Sequence, residues 1–171
     1  MPDLKPEFRE LLARLCKHDV RFVLIGGVAM SLQGSDRGTL DIDVIYCREA
    51  SNLAALVEAL ADIHPRLRTV SGDVPFLWDV RTLKYGQNFT LRTNLGDIDL
   101  LADVTGAPEF ESLLAESDQM DVDGLLISVA TLDQLIAMKR TTGRTKDQLH
   151  LLELEALRKL INEQDSEYPT T

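Results

Sequence analysis

Cysteine, aromatic residues and positive charge are all scarce in this sequence. Its 171 residues include two cysteines, Cys16 and Cys47, which are too few for a disulfide framework and favour a reducing cytoplasm. The 18 lysines and arginines are outnumbered by 28 aspartates and glutamates, and the net charge of -10 argues against a broadly basic surface coated with nucleic acid. No apolar run approaches a membrane span, and the N-terminal residues lack the regions of a secretory signal. We therefore expect a cytoplasmic protein that has no membrane partner.

Length and composition are typical of one globular domain. A chain of 171 residues with 44% hydrophobic and 27% charged residues can bury a substantial core without disulfides or a structural metal. We expect a single domain over 1–171, with its core at about 19–128 and C-terminal helices at about 131–164.

The spacing of apolar residues predicts both helices and strands. Positions 8, 11, 12 and 15 are apolar and fall at i, i+3, i+4 and i+7, which is typical of an amphipathic helix. The same reasoning predicts strands at 21–25, 40–47, 88–93 and 97–102, a strand or hairpin at 120–128, further helices at 28–32, 53–63, 109–116, 132–143 and 146–164, and a long loop at 65–86. The last helix is expected to have an apolar side made of Leu149, Leu152, Ala156, Leu157 and Leu160. These elements predict an α/β (α+β) fold, in which helices flank a mixed sheet and a C-terminal helical pair closes it.

Two Asp-Ile-Asp runs are the most informative feature of the chain. Asp41 and Asp43 alternate with Ile42, so both acids leave the same face of the predicted strand, and Asp97 and Asp99 repeat that geometry. Like charges on adjacent strands repel, and the repulsion is relieved when the carboxylates converge on Mg²⁺ or Mn²⁺, which prefer oxygen ligands. The runs therefore predict a metal site that can hold a nucleoside triphosphate.

Gly26 and Gly27 lie between a predicted strand and a predicted helix. Paired glycines let the chain turn tightly and bring backbone N–H groups close to a ligand, so we expect the turn beside the phosphates. Arg37 and Thr39 precede the first acidic run with the same parity as its acids. Both could face the triphosphate, whereas an arginine in this loop could equally lie in solvent.

Lys139 is a further candidate for the nucleotide site. Thr131 and Gln134 have the spacing of a capping box, which starts a helix at about Leu132. Lys139 lies seven residues after Leu132, in line with the apolar side of this helix. Its stem can therefore be buried while its ammonium reaches a polar cavity. A basic residue near a helix end also interacts favourably with the helix dipole, and both interpretations remain open.

Three segments together resemble the polymerase-beta-like nucleotidyltransferase superfamily. The pattern of that superfamily is a hydrophobic-Gly-Gly/Ser segment, a spacer, and then acid-hydrophobic-acid-hydrophobic. The similar segments of this chain are Val23 to Gly27, Asp41 to Val44 and Ile98 to Leu101. More narrowly, the segments at 37–43 and 132–147 resemble small stand-alone members, which include the AbiEii-like toxin nucleotidyltransferases. Leu100 and Leu101 match the pattern after Asp99, so the resemblance favours Asp99 over Asp97 as the third acid. Asp97, next to Gly96, is expected in solvent at the start of its strand.

The resemblance implies a minimal nucleotidyltransferase fold and an activity. Asp41, Asp43 and Asp99 would be catalytic and would bind two Mg²⁺ or Mn²⁺ ions, with Gly26, Gly27, Arg37, Thr39 and Lys139 binding the nucleotide. The implied reaction transfers a nucleoside monophosphate from a triphosphate to a hydroxyl of a macromolecule, tRNA or protein. For AbiEii-like relatives it also implies a toxin with a cognate antitoxin.

Two other classes of function fit the same residues. One is a nucleotide-binding or partner-binding module with little catalysis, and the other is an enzyme that modifies a small molecule of the aminoglycoside type. The three histidines lack metal-ligand spacing and are predicted to be ordinary surface or boundary residues: His18, His64 and His150. Phe76 and Trp78 are predicted to pack in the core rather than to stack on a base.

Overall fold

The computed structural model describes residues 4–36, 38–68, 75–142 and 145–167. Seven strands and seven α-helices lie in these ranges. The strands are β1 (Phe22–Ile25), β2 (Asp41–Tyr46), β3 (Arg66–Leu67), β4 (Phe89–Thr93), β5 (Gly96–Leu101), β6 (Asp118–Val122) and β7 (Leu125–Val129). The helices are α1 (Pro6–Lys17), α2 (Gly26–Leu32), α3 (Ala50–Leu60), α4 (Val80–Tyr85), α5 (Phe110–Ala115), α6 (Leu132–Thr142) and α7 (Thr145–Glu167).

The seven strands form one mixed sheet in the order β3-β4-β5-β2-β1-β7-β6. β2 pairs with β5 in parallel, as β1 does with β7, and the remaining neighbours are antiparallel. The predicted α/β architecture is confirmed, including the C-terminal helical pair α6 and α7. None of the helices among the described residues is long and apolar enough to cross a membrane.

Side-chain alternation divides β2 and β5 into an apolar and an acidic face. Ile42 and Ile98 are fully buried on one face, whereas the aspartates on the other face are half-buried. The parallel register sets Asp41 opposite Asp97 and Asp43 opposite Asp99. Burial of the apolar face fixes this register, because a slip of one residue would turn the isoleucines outward.

Helix α1 confirms the prediction made from apolar spacing. Helix α1 contacts α3 and β7. The four residues of the predicted apolar pattern are exposed by 5% or less and pack in the core: Phe8, Leu11, Leu12 and Leu15. Burial of one such side chain stabilises the fold by about 1.5–3 kcal/mol. The capping box of α6 is also confirmed, since the Thr131 N–H donates to Gln134 Oε1 at 2.9 Å and the Gln134 N–H donates to Thr131 Oγ1 at 3.2 Å.

The predicted loop at 65–86 is wrong in two places. It contains strand β3, which has two residues, and helix α4, which has six. Asp79 caps α4 by accepting a hydrogen bond from the Thr82 N–H at 2.7 Å. Elements this short do not repeat an apolar pattern, so periodicity could not find them. Residues 69–74 of this segment lie outside the described residues.

The aromatic residues near this segment pack as predicted. Trp78 and Phe76 are partly buried against the core, and the Trp78 indole N–H donates to the Val57 carbonyl oxygen at 3.0 Å. The Phe76 ring lies 6.2 Å from the rings of both Trp78 and Phe89, between centroids.

Most of the predicted apolar side of α7 does not pack, although its Leu157 is half-buried beside Gly34. Its outward leucines are 56–65% exposed: Leu149, Leu152 and Leu160. The helix instead buries Leu154, which is 1% exposed. Ion pairs from Arg140 to Glu155 and from Arg158 to Asp133 join α6 to α7. Several leucine spacings on α7 were compatible with a helix, and the α6 contacts select the one that faces inward.

Candidate functional site

Three carboxylates converge where β2 and β5 lie side by side. Asp41, Asp43 and Asp99 each contribute one carboxylate oxygen, and these three oxygens lie within 4.8 Å of one another. Neighbouring parallel strands in register bring these acids together from different parts of the chain. Three carboxylate oxygens in one place are a donor set suited to a hard divalent cation such as Mg²⁺ or Mn²⁺. The residues present therefore fit the predicted metal.

The glycine pair makes room for the acidic strand. Gly26 has φ +66°, and a Cβ placed on it would lie 2.0 Å from Asp43 Oδ2. A Cβ on Gly27 would lie 2.6 Å from the Thr39 hydroxyl oxygen. Atoms this close would collide, so both positions require glycine for close approach, and Gly26 also for its backbone conformation. The structure thus gives the pair a packing role besides the phosphate contact predicted from sequence.

Arg68 binds the acidic cluster, which consists of Asp41, Asp43, Asp97 and Asp99 on β2 and β5, and it was not predicted as a site residue. Its Nη1 lies 2.8 Å from Asp97 Oδ2, and its Nη2 lies 3.0 Å from Asp99 Oδ1 and 3.4 Å from Asp41 Oδ2. The sequence places Arg68 only in a basic stretch, without any motif around it. Its contacts depend on the pairing of β3 with β4 and of β4 with β5, which no local pattern reveals.

The expectation that Asp97 lies in solvent is wrong. Asp97 belongs to β5, its side chain is 21% exposed, and it accepts hydrogen bonds from Arg68 and from Arg92, whose Nε lies 3.1 Å from Asp97 Oδ1. Burial acts to raise its pKa, but the hydrogen bonds from Arg92 and Arg68 hold the pKa below its usual value. Asp97 is not among the three carboxylates that converge.

A cavity of about 630 Å³ opens beside the acids. Its volume is within the range of small-molecule sites. Predicted site residues form much of its lining: Gly26, Gly27, Thr39, Asp41, Asp43 and Lys139. The ammonium of Lys139 donates to Asp147 Oδ1 at 2.7 Å, and Asp147 and His150 of α7 also line the cavity. Sequence reasoning missed these two residues because only the packing of α7 against α6 brings them beside Lys139.

Thr39 contacts the first acid of the cluster. Its hydroxyl lies 3.1 Å from both the carbonyl oxygen and the Oδ1 of Asp41, so it can donate to either and restrain that carboxylate. Arg37, predicted to bind nucleotide, lies outside the described residues. Its predicted role stays a prediction.

A protein-family profile described as nucleotidyltransferase of unknown function, DUF6036, matches residues 3–102. The chain belongs to this family. The match includes the glycine pair and all three converging acids, and the predicted superfamily is thereby confirmed at the level of a nucleotidyltransferase. No curated protein sequence is significantly similar to this DUF6036 protein.

Solved nucleotidyltransferase structures share the fold of the DUF6036 protein. A candidate nucleotidyltransferase from Thermotoga maritima is 18% identical with a TM-score of 0.57, covering 94% of this chain and 96% of that one. The lincosamide antibiotic adenylyltransferase LnuA, bound to lincomycin, is 14% identical with a TM-score of 0.60 over 92% and 99% of the two chains. An antigenic nucleotidyltransferase-like protein from Paracoccidioides brasiliensis is 13% identical with a TM-score of 0.50, over 93% and 85%. At these identities the likeness shows the fold.

Asp43 is the residue of the acidic cluster whose charged form is disfavoured most strongly. Burial and the charges of Asp41 and Asp99 raise its pKa to about 7, while Lys139 and the Gly27 N–H act in the opposite direction. Burial also raises the pKa of Asp99, against the lowering effect of Arg68. A cation bound by these carboxylates would relieve the cost, which agrees with the donor set.

The raised pKa of Asp43 predicts a pH-dependent stability of the metal-free DUF6036 protein. The folded state holds the proton up to about pH 7, whereas an unfolded aspartate releases it near 3.8. The contribution of Asp43 to the free energy of unfolding is therefore fully present below about pH 4 and is lost as the pH rises through about 7. In EDTA, the melting temperature of Asp43→Asn should increasingly exceed that of wild type over this range, as measured by calorimetry. The exposed Asp103→Asn is the control, and an equal difference at every pH would contradict the prediction.

Proposed function

We propose that this protein is a divalent-metal-dependent nucleotidyltransferase that moves a nucleoside monophosphate from a triphosphate to a hydroxyl. The convergence of Asp41, Asp43 and Asp99 within 4.8 Å carries the proposal. Two of these acids line a cavity large enough for a nucleotide, together with the glycine pair and Lys139. Family membership supports the same reaction class.

Each side chain of the site has a proposed task. Asp41, Asp43 and Asp99 would hold Mg²⁺ or Mn²⁺, which when bound lowers the pKa of an attacking hydroxyl and neutralises phosphate charge. Lys139 places a positive charge in the cavity, and its contact with Asp147 orients the ammonium. Thr39 restrains Asp41, and the two glycines leave the space that Asp43 and Thr39 occupy. The backbone N–H groups of the glycines would bind the phosphates.

The proposed acceptor is a macromolecule, tRNA or protein, and the proposed cellular role is a toxin paired with an antitoxin. The resemblance of 37–43 and 132–147 to AbiEii-like toxins supports this choice. The lincosamide antibiotic adenylyltransferase, which was solved with lincomycin bound and aligns with this chain over 99% of its own length, supports the alternative of a small-molecule acceptor. The net charge of -10 would suit a cationic small acceptor.

Label transfer tests the proposed reaction and identifies the acceptor. The purified protein is incubated with each α-labelled nucleoside triphosphate and Mg²⁺ or Mn²⁺ in a cell extract, in parallel with reactions that contain EDTA. We expect label on a macromolecule, lost with EDTA, and removed by ribonuclease for an RNA acceptor or by protease for a protein acceptor. A second set of reactions contains aminoglycosides and lincosamides, and label on these would favour the small-molecule acceptor. Tight nucleotide binding without transfer to any acceptor would contradict the enzyme and favour a binding module.

A further inference from the structure

Arg68 spans the acidic cluster from the edge of the sheet. Its backbone N–H donates to the Thr90 carbonyl oxygen at 2.9 Å, and Thr90 pairs with Asp99 across β4 and β5. This anchorage lets one guanidinium reach carboxylates on both β5 and β2, at 2.8 Å from Asp97, 3.0 Å from Asp99 and 3.4 Å from Asp41. Arginine has five N–H donors in a fixed plane, which allows one side chain to serve several carboxylates.

Two of the carboxylates that Arg68 contacts are also proposed metal ligands. Asp41 and Asp99 belong to the converging group, whereas Asp97 does not. A guanidinium and a divalent cation bound to the same two carboxylates would repel each other at short range. Arg68 and the cation therefore cannot both hold Asp41 and Asp99 at full strength.

We propose that Arg68 is a positioning residue that competes with the divalent cation for Asp41 and Asp99. When the cation displaces Arg68 from these two carboxylates, Asp97 retains the guanidinium, which turns to the phosphates. This inference rests on the proposed function of the site. Asp97 suits the retaining role because it makes the shortest contact with Arg68 and lies outside the converging group. The guanidinium would then remain beside the site with donors free for phosphate oxygens.

Competition and a merely structural ion pair predict opposite metal affinities. If Arg68 competes with the cation, its removal strengthens metal binding in the absence of nucleotide and weakens binding of the metal–nucleotide complex. If Arg68 only holds the strands together, its removal loosens the carboxylates and weakens both. Binding of Mn²⁺ alone therefore distinguishes the two roles, without any measurement of turnover.

The test measures Mn²⁺ binding by calorimetry to wild type and Arg68→Gln, with and without a non-hydrolysable nucleoside triphosphate. Loss of charge-assisted hydrogen bonds to Asp41 and Asp99 should tighten Mn²⁺ binding without nucleotide by about tenfold. Binding of the nucleotide with Mn²⁺ should weaken by about tenfold, as expected when a phosphate contact is lost. In EDTA, the melting temperature of Arg68→Gln should fall, and Mn²⁺ should restore it.

Arg92→Gln is the matched control. Arg92 also pairs with Asp97, but within the described ranges it forms no ion pair with the three converging carboxylates, so Mn²⁺ affinity should stay near wild type. Arg68→Lys keeps the charge with fewer donors and should lie between wild type and Arg68→Gln. Unchanged or weaker Mn²⁺ binding by a folded Arg68→Gln would overturn the inference. If wild type binds no Mn²⁺ with or without nucleotide, the proposed function itself fails.

Discussion

Replacement of Asp43 by asparagine is expected to lower nucleotidyl transfer by at least about 100-fold. Asp43 is one of three converging carboxylates, and an amide cannot supply the negative charge that a divalent ion requires. Stabilisation of transition-state charge by a metal contributes several kcal/mol, and each 1.36 kcal/mol changes the rate about tenfold. The rate of label transfer at saturating Mg²⁺ and nucleotide measures the effect.

The same substitution should make the metal-free protein more stable above about pH 7, because it removes the half-buried charge whose pKa is raised. Lost activity together with gained stability separates a role in the reaction from general damage to the fold. Asp103→Asn removes one negative charge from an exposed residue near the end of β5 and is the matched control. It should keep both activity and stability near wild type. Transfer by Asp43→Asn within a few-fold of wild type would remove this carboxylate from the proposed site.

Gly26→Ala is expected to abolish most activity and to destabilise the fold. Its Cβ would lie 2.0 Å from Asp43 Oδ2, so the carboxylate must leave its position beside Asp41 and Asp99. The φ of +66° adds backbone strain of about 1–2 kcal/mol for a residue that has a Cβ. Transfer should fall by at least about 100-fold, since the displaced group is a proposed metal ligand. Transfer assays and thermal unfolding measure the two effects.

Two glycine variants separate strain from collision. Gly124→Ala has φ +82° and no described atom within 4 Å of its added Cβ, so it should lose stability but not activity. Gly38 lines the same cavity as Gly26, and the Cβ added by Gly38→Ala also meets no described atom within 4 Å. This variant is the control for an added methyl group that causes no collision. Wild-type activity in Gly26→Ala would show that Asp43 can shift without consequence. That result would contradict the close packing as a requirement of the site.

Local patterns were sufficient for features that depend on neighbouring residues. Helix α1 followed from the spacing of four apolar residues, and the start of α6 followed from the reciprocal hydrogen bonds of Thr131 and Gln134. The period of two along a strand placed Asp41 and Asp43 on one face whichever strand lay beside them. These properties are set within one element, so the sequence alone could specify them.

Other features depended on which elements meet. The register of β2 against β5 sets Asp43 opposite Asp99, and the pairing of β3 with β4 brings Arg68 across to the same acids. The packing side of α7 depended on contacts with α6, and for this reason the predicted stripe was wrong. A helix with leucines at several spacings does not specify which of them faces the core.

The sequence by itself determined the α/β class, most of the elements, the polarity of the acidic strands and the resemblance to nucleotidyltransferases. Only the tertiary structure decided that Asp97 pairs with arginines, that Lys139 meets Asp147, and that Arg68 binds the acidic cluster. The physical reason is that periodicity and capping act over a few residues, whereas contacts between charges depend on strand register and helix packing across distant parts of the chain.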